Sequence, residues 1–186
     1  MSWKITPNIA AELIAHEGIV REAYKDSVGV WTWSVGVTSA SGHKVWPRYV
    51  DNPQTLKRCF EVFEWLVRNK YLPPVKRAFA GHILSEAQLG AALSFHYNTG
   101  GIERASWVKK WKEGDVAGAR QAIMNWSRPP EIIPRRRKEQ ALFFNGVWSN
   151  DGFGTEYGVR KPAYTPDWSS ARRVQIKETL DELFGP

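Results

Sequence analysis

A helix, a turn and a strand are predicted in succession near the N-terminus, and this order constrains the fold more than any other feature. Thr6 followed by Pro7 is typical of a helix start, because threonine caps the N-terminus and proline is accepted at the first helical position. Apolar residues then repeat at helical spacing, and Gly18 is a typical helix end. The sequence therefore predicts a short helix whose last turn carries Glu17.

The residues that follow predict a turn and then a strand. Residues 26–29 read Asp-Ser-Val-Gly, a composition typical of turns, and residues 30–38 are rich in β-branched and aromatic side chains. In such a strand Thr32 lies on the face opposite to the tryptophans on either side of it. We therefore expect Glu17, Asp26 and Thr32 to be able to converge on one polar surface.

Two carboxylates and a hydroxyl on one surface suit glycoside hydrolysis. One carboxyl group protonates the leaving oxygen, and the other holds or activates a water molecule or attacks the sugar. Glu17 suits the acid, because the negative end of a helix dipole favours the protonated form of a carboxyl group. Each of these residues alone is more typical of an ordinary helix end, turn or strand, so the chemistry depends on further evidence.

Three segments supply that evidence. The first has the spacing Glu17-x8-Asp26-x5-Thr32 and continues with Gly-Val-Thr at residues 36–38. Residues 92–100 read Ala-Leu-Ser-Phe-His-Tyr-Asn-Thr-Gly, and residues 135–143 read Arg-Arg-Arg-Lys-Glu-Gln-Ala-Leu-Phe. In this order they resemble the catalytic segment, a helix and turn, and an arginine-rich helix of the T-even and lambdoid phage lysozymes, glycoside hydrolase family 24. The resemblance covers roughly residues 5–146.

The resemblance implies an α+β, lysozyme-like fold. A small N-terminal lobe with a β-hairpin and a larger helical lobe would be joined by a long helix, here residues 55–70, which Pro73 and Pro74 would stop. Residues 1–146 would form the catalytic domain. Residues 147–186 match nothing in the family; they are expected to be loop-like to about Trp168, to close with a helix, and to pack as an extension on the same domain.

The implied activity is that of an N-acetylmuramidase, an endolysin for host cell lysis. It would hydrolyse the β-1,4 bond between N-acetylmuramic acid and N-acetylglucosamine in peptidoglycan, with inversion and without metal or cofactor. Glu17 would be the general acid, Asp26 would position or activate water, and Thr32 would hold that water. The four histidines also lack the spacing of metal ligands.

Further residues follow from the resemblance. His96, Tyr97 and Asn98 would border the sugar-binding cleft, although Asn98 is equally typical of a structural cap. An arginine of the arginine-rich helix would pair with the catalytic glutamate; the register favours Arg135, with Arg136 as the alternative.

Two departures from the family pattern bear on the shape of the cleft. Ser34 and Val35 stand where the family usually has a glycine and an aromatic residue. Residues 131–134, Glu-Ile-Ile-Pro, replace the usual Gly-Leu before the arginines.

Composition and charge leave two rival functions open. The net charge of +7 and the pI near 9.6 predict attraction to polyanions, so a non-catalytic cationic protein that binds such polymers is one alternative. It has no nucleic-acid-binding motif in its support. A lytic transglycosylase, in which a sugar hydroxyl replaces water, is the other; Asp26 and Thr32 argue against it, because that route has less need of groups that hold water.

The location of the enzyme is also an expectation from sequence. Cys59 is the only cysteine, which fits a protein kept in a reducing cytosol, and the N-terminus lacks the pattern of a signal peptide. We expect a monomer that stays in the host cytoplasm until a holin-type membrane partner permeabilises the inner membrane. It would then act on the glycan strands of the periplasmic wall, with no nucleic-acid partner.

Overall fold

The computed structural model describes residues 3–185, which form eight α-helices and five strands. The helices are α1 (Pro7–His16), α2 (Leu56–Leu66), α3 (Leu72–Ala78), α4 (Glu86–Thr99), α5 (Ser106–Lys112), α6 (Val116–Ala122), α7 (Ile133–Asn145) and α8 (Lys177–Phe184). The strands are β1 (Gly18–Lys25), β2 (Trp31–Ser34), β3 (Val37–Thr38), β4 (Phe153–Arg160) and β5 (Thr165–Gln175). The α+β class predicted from the sequence is confirmed. No helix in the described part of the chain is both long and apolar enough to span a membrane.

The described residues divide into two compact units. The β-containing unit comprises Thr6–Leu66 and residues 150–185, and it holds all five described strands with α1, α2 and α8. The helical unit comprises Val67–Ser149 and residues 3–5. The resemblance implied that the β-containing part would be the smaller one. It is not the smaller unit here, because the C-terminal segment adds two strands and a helix to it.

Helix α1 forms as the sequence predicts. Thr6 Oγ1 accepts a hydrogen bond from the N–H of Ile9 at 3.2 Å, and Pro7 occupies the first helical position. At Glu17 the backbone becomes extended, with φ −107° and ψ 160°, and its N–H donates to the carbonyl of Ile14 at 3.1 Å. Glu17 is thus the residue that caps the C-terminus of α1.

Gly18 has a different role from the predicted one. It does not end the helix in a left-handed conformation but begins β1. A Cβ atom at this position would lie 2.9 Å from the ring of Tyr157, closer than real Cβ contacts allow. Glycine is therefore required because a residue of β4 packs directly against the backbone beside Glu17.

The prediction of a single strand over residues 30–38 is wrong. This segment forms a hairpin of β2 and β3 that turns at Val35 and Gly36, where Gly36 has a φ of +75°. Thr32 pairs with Thr38 across this hairpin. The left-handed backbone of a glycine permits the tight turn, so the alternation of side chains continues only as far as Ser34.

The predicted stop of the long helix at the two prolines is also wrong. Helical conformation continues from α2 through a π-helical segment, Val67–Tyr71, into α3. Pro73 and Pro74 lie in the first turn of α3, where a backbone N–H has no helical partner and proline is tolerated.

The C-terminal segment is not loop-like up to Trp168 but forms a β-hairpin. The five strands lie in the order β3-β2-β1-β4-β5, and β4 pairs with β1 in parallel, with Gly18 opposite Thr155 and Ile19 opposite Glu156. All other pairs in this sheet are antiparallel. The segment thus adds its two strands to the edge of the sheet beside Glu17.

Polar contacts fix both ends of the hairpin to the β-containing unit. Glu12 is fully buried, and its Oε2 accepts hydrogen bonds from the backbone N–H and the Nδ2 of Asn150, at 2.9 and 2.8 Å. Lys161 lies 2.6 Å from carboxylate oxygens of both Glu22 and Asp51. Helix α8 follows the hairpin and packs on α1 and α2, with Leu180 and Phe184 among its buried residues.

Candidate active site

Asp26 is held in place by the turn that follows β1. Its Oδ1 accepts hydrogen bonds from the backbone N–H groups of Val28, at 3.0 Å, and Val30, at 2.8 Å. The N–H of Asp26 donates in turn to the carbonyl of Val30 at 2.9 Å. Among the described residues none donates a hydrogen bond to Oδ2. One carboxylate oxygen therefore anchors the side chain, and the other is available to a ligand or to water.

Thr32 is anchored to the same residue from the other side. It is only 4% exposed, and its Oγ1 donates a hydrogen bond to the carbonyl of Val30 at 2.9 Å. Because the hydroxyl proton is used in this bond, the lone pairs of Oγ1 can accept a hydrogen bond from water. Val30 thus joins Asp26 through its N–H and Thr32 through its carbonyl.

Tyr24 is a further residue of this region, and the sequence pattern did not single it out. It lies on β1 opposite Thr32 on β2, and paired residues of neighbouring strands project from the same face of a sheet. Burial, and then the negative charges of Glu17 and Asp26, raise the pKa of Tyr24 to about 12. The strand register places Tyr24 beside Thr32, and the charges of Glu17 and Asp26 both act on its phenol. The joint action of Glu17, Asp26 and Thr32 on one substrate stays a prediction.

The other predicted residues lie in the helical unit, at the end of α4. His96 is 7% exposed, its Nδ1 accepts the N–H of Ile102 at 3.4 Å, and its ring lies edge-on to Tyr71. Burial lowers the pKa of His96. Tyr97 is half-buried and also contacts Tyr71, with ring centroids 4.5 Å apart. These contacts give His96 and Tyr97 a packing role, and their contact with substrate stays a prediction.

The arginine-rich segment forms the start of α7 and contains a buried ion cluster. Arg136 is fully buried: its Nε donates to the carbonyl of Trp126 at 2.8 Å, its Nη2 to Asn98 Oδ1 at 2.5 Å, and its Nη1 to Glu139. All its nitrogens therefore have partners in the helical unit. Asn98, exposed at the end of α4, has at least the structural role that its sequence position allowed.

Arg135 lies beside this cluster. Its Nε contacts Glu139 Oε2 at 3.2 Å, and its Nη2 donates to the carbonyl of Ser94 at 3.0 Å. Burial raises the pKa of Glu139, and the two arginines act in the opposite direction. The complete use of the Arg136 nitrogens keeps Arg135 as the preferred partner of the catalytic glutamate, and that pairing stays a prediction.

Comparison with known proteins identifies the family. The family model for phage lysozyme matches residues 14–140, which include Glu17, Asp26 and Thr32 and nearly all of the two later segments. The chain belongs to the phage lysozyme family. It is therefore a glycoside hydrolase of the muramidase type, a peptidoglycan-hydrolysing endolysin, and the function predicted from the sequence is confirmed at this level.

Solved structures agree on the fold. The endolysin of Escherichia coli O157:H7 phage FAHEc1 has a TM-score of 0.67 and 20% identity, over 81% of this chain and 98% of its own. A variant of P22 lysozyme has a TM-score of 0.64 and 24% identity, over 78% of this chain and 100% of its own. The active form of the P1 phage endolysin Lyz has a TM-score of 0.61 and 20% identity, over 78% of this chain and 86% of its own. No curated protein sequence matches significantly.

Proposed function

We propose that this phage lysozyme cleaves the β-1,4 bond between N-acetylmuramic acid and N-acetylglucosamine, with Glu17 as general acid and Asp26 as the group that holds and activates water. The observation that supports this assignment is the difference between the two oxygens of the Asp26 carboxylate. Its Oδ1 is bound by two backbone N–H groups, and its Oδ2 has no donor among the described residues. An anchored carboxylate with one open oxygen suits a base that must hold a water in a fixed direction.

Thr32 supplies the second contact to that water. Such a water would donate one hydrogen bond to Asp26 Oδ2 and a second one to Thr32 Oγ1. Its lone pairs would then be directed away from both residues, toward a bound sugar. Activation by Asp26 on one face and protonation by Glu17 on the other is the arrangement of an inverting hydrolase. Tyr24, with its raised pKa, remains a neutral phenol at physiological pH beside these groups.

Charge supports attraction to the bacterial envelope. Most of the lysines and arginines lie in the helical unit, whereas most of the carboxylates lie in the β-containing unit that holds Glu17. The helical unit is therefore strongly cationic and suits an anionic wall. Release from the host cytoplasm through a holin-type membrane partner, and action as a monomer, belong to the same proposal and rest on the family resemblance.

Analysis of the products tests the proposed reaction. Purified protein would be incubated with Gram-negative peptidoglycan, and the soluble fragments reduced with borohydride and measured by mass spectrometry. We expect fragments that end in reducible N-acetylmuramic acid. In a separate sample followed by proton NMR before reduction, the α-anomer should appear first, because the proposed reaction inverts the β-linkage. Fragments ending in 1,6-anhydro-N-acetylmuramic acid would show a transglycosylase and overturn the proposal.

Replacement of Thr32 by valine tests the water-holding role separately. Valine keeps nearly the same shape but removes the hydroxyl, so we expect the rate on peptidoglycan to fall up to about tenfold, the value of one hydrogen bond. The matched control is Thr38→Val, because Thr38 lies opposite Thr32 and its hydroxyl already contacts Ser41 at 3.1 Å. An unchanged rate in the Thr32 variant, or an equal loss in both, would contradict the assignment.

A further inference from the structure

The C-terminal hairpin displays an aromatic pair on the surface of the β-containing unit. Trp168 on β5 is 68% exposed, and its ring meets that of Tyr157 on β4 at 5.0 Å with an interplanar angle of 77°. An indole left in solvent in this way contributes little to folding. Large exposed aromatic side chains beside polar groups are typical of binding sites.

A polar cleft lies beside the aromatic pair. It has a volume of about 220 Å³ and is lined by residues from β1, β4 and β5, including Arg21, Glu156, Tyr157, Ser170 and Arg172. The carboxylate of Glu156 accepts a hydrogen bond from Arg172 at 2.6 Å and lies 3.5 Å from Arg21. The side chain of Glu156 is only 12% exposed, whereas that of Arg172 is 69% exposed.

The two arginines retain donors for a ligand. Arg172 uses only its Nη2 in the contacts of the described residues, and Arg21 uses Nε for the carbonyl of Gln54 and Nη1 for Glu156. A guanidinium group carries more N–H donors than these contacts use. The cleft thus offers fixed, charged donors and a carboxylate next to an exposed aromatic ring.

This combination fits a saccharide. The C–H face of a sugar ring can pack on an indole, while its hydroxyl groups bond to carboxylates and guanidinium groups. Muramic acid also carries a carboxylate, which an arginine binds well. A purely apolar ligand would displace water from Glu156 and Arg172 without replacing the hydrogen bonds that this water makes to them.

We propose that the Trp168 surface, defined as Trp168, Tyr157, Glu156, Arg172 and Arg21, is an accessory site for the glycan strand of peptidoglycan. The choice of this glycan rests on the proposed function. The site lies on the same unit as the catalytic acid, because the ring of Tyr157 packs on Gly18, the residue that follows Glu17.

Most of this site lies beyond the part of the chain that the family model matches. The model covers residues 14–140, so Arg21 lies within it, whereas Glu156, Tyr157, Trp168 and Arg172 lie beyond it. The accessory site therefore depends mainly on residues of the C-terminal hairpin.

Binding to insoluble peptidoglycan tests the site without turnover. All variants would be made in the Glu17→Gln chain, so that the wall is not digested, and bound protein would be measured by co-sedimentation over a range of wall concentrations. We expect Trp168→Ala to weaken binding about tenfold and Trp168→Phe to retain most of it, because the aromatic face is the main contact. The control is Trp46→Ala, another exposed tryptophan of the same unit, at 53% exposure, which should bind as the parent does.

Soluble probes identify the ligand. Titration with an N-acetylglucosamine hexamer, followed by NMR, should shift the indole N–H signal of Trp168 and not that of Trp46. Equal wall binding by the Trp168→Ala and parent chains, an equal loss in the Trp46→Ala control, or a response only to stem peptides would each overturn the site. Because the measurement needs no catalysis, a failure of the proposed reaction in the product analysis leaves its result intact.

Discussion

A Glu17→Gln variant is expected to lose at least about 100-fold of its activity on peptidoglycan while keeping its fold, because general acid catalysis contributes roughly 10²–10⁴-fold. Glutamine has almost the same shape as glutamate but cannot donate a proton to the leaving oxygen. The end of α1 is kept in this variant, because the backbone N–H of residue 17 bonds to the carbonyl of Ile14 and is unchanged by the substitution. The loss should appear in turbidity assays of permeabilised Gram-negative cells.

The matched control for this variant is Glu61→Gln. Glu61 lies on α2 in the same unit, is partly exposed, and forms an ion pair with Arg58 one turn away, which is worth little to stability. Both variants should melt at the temperature of the parent in circular dichroism, and only the Glu17 variant should lose activity. Retention of more than about half of the activity would show that the general acid is another residue.

Local signals in the sequence were sufficient wherever the cause of a structure lies within a few residues. The Thr6 cap places Glu17 at the end of α1, and a capping box of Ser85 and Gln88, with both of its hydrogen bonds present, begins α4. Gly100 and Gly146 end α4 and α7 in the left-handed conformation. These elements carry Glu17 and most of the two later motif segments, and the catalytic and substrate-binding roles of their residues stay predictions.

Features that depend on distant partners were not predictable from the pattern alone. The role of Gly18 is set by Tyr157, and the parallel pairing of β1 with β4 joins segments far apart in the chain. Residues 153–175, with glycines and prolines among them, are typical of a loop until β1 offers a neighbouring strand. Tyr24 was missed for the same reason, because its place opposite Thr32 is fixed by the strand register.

The cluster around Glu139 was predictable from the sequence only in part. The spacing of Arg135 and Arg136 from Glu139, four and three residues, predicts contacts on one face of α7, and both contacts form. The complete burial of Arg136 and Glu139 was not evident, because it depends on packing against α4, where the hydroxyl of Ser94 donates to Glu139 at 2.5 Å. The arginine motif thus has a structural role in the helical unit, and its pairing with Glu17 stays a prediction.

A chain that ends at Gly146 is expected to be largely insoluble or unfolded, although it retains every residue that the family model matches. The deletion removes β4, β5 and α8 from the β-containing unit, and β1 becomes an unpaired edge beside Glu17. It also exposes apolar side chains of that unit, including Ile14 and Ile19, both of which border Gly154. At roughly 1.5–3 kcal/mol for each buried side chain, the combined loss approaches the total stability of about 5–15 kcal/mol of an ordinary domain.

A point variant separates this effect from a general intolerance of truncation. Asn150→Ala removes the Nδ2 donor to the fully buried carboxylate of Glu12 and keeps only the backbone N–H of residue 150, so it should lower stability by about 1–3 kcal/mol in urea denaturation while the chain still folds. Glu178→Ala, an exposed change on α8, should have little effect on the midpoint. If the shortened chain instead remained soluble, melted with the parent and lysed cells at the full rate, the C-terminal segment would be dispensable for the fold. In that case the effect of Asn150→Ala would reflect only its local contacts. A large loss of stability in the shortened chain and a smaller loss in the Asn150 variant are expected only if the hairpin is part of the core that holds Glu17 in place.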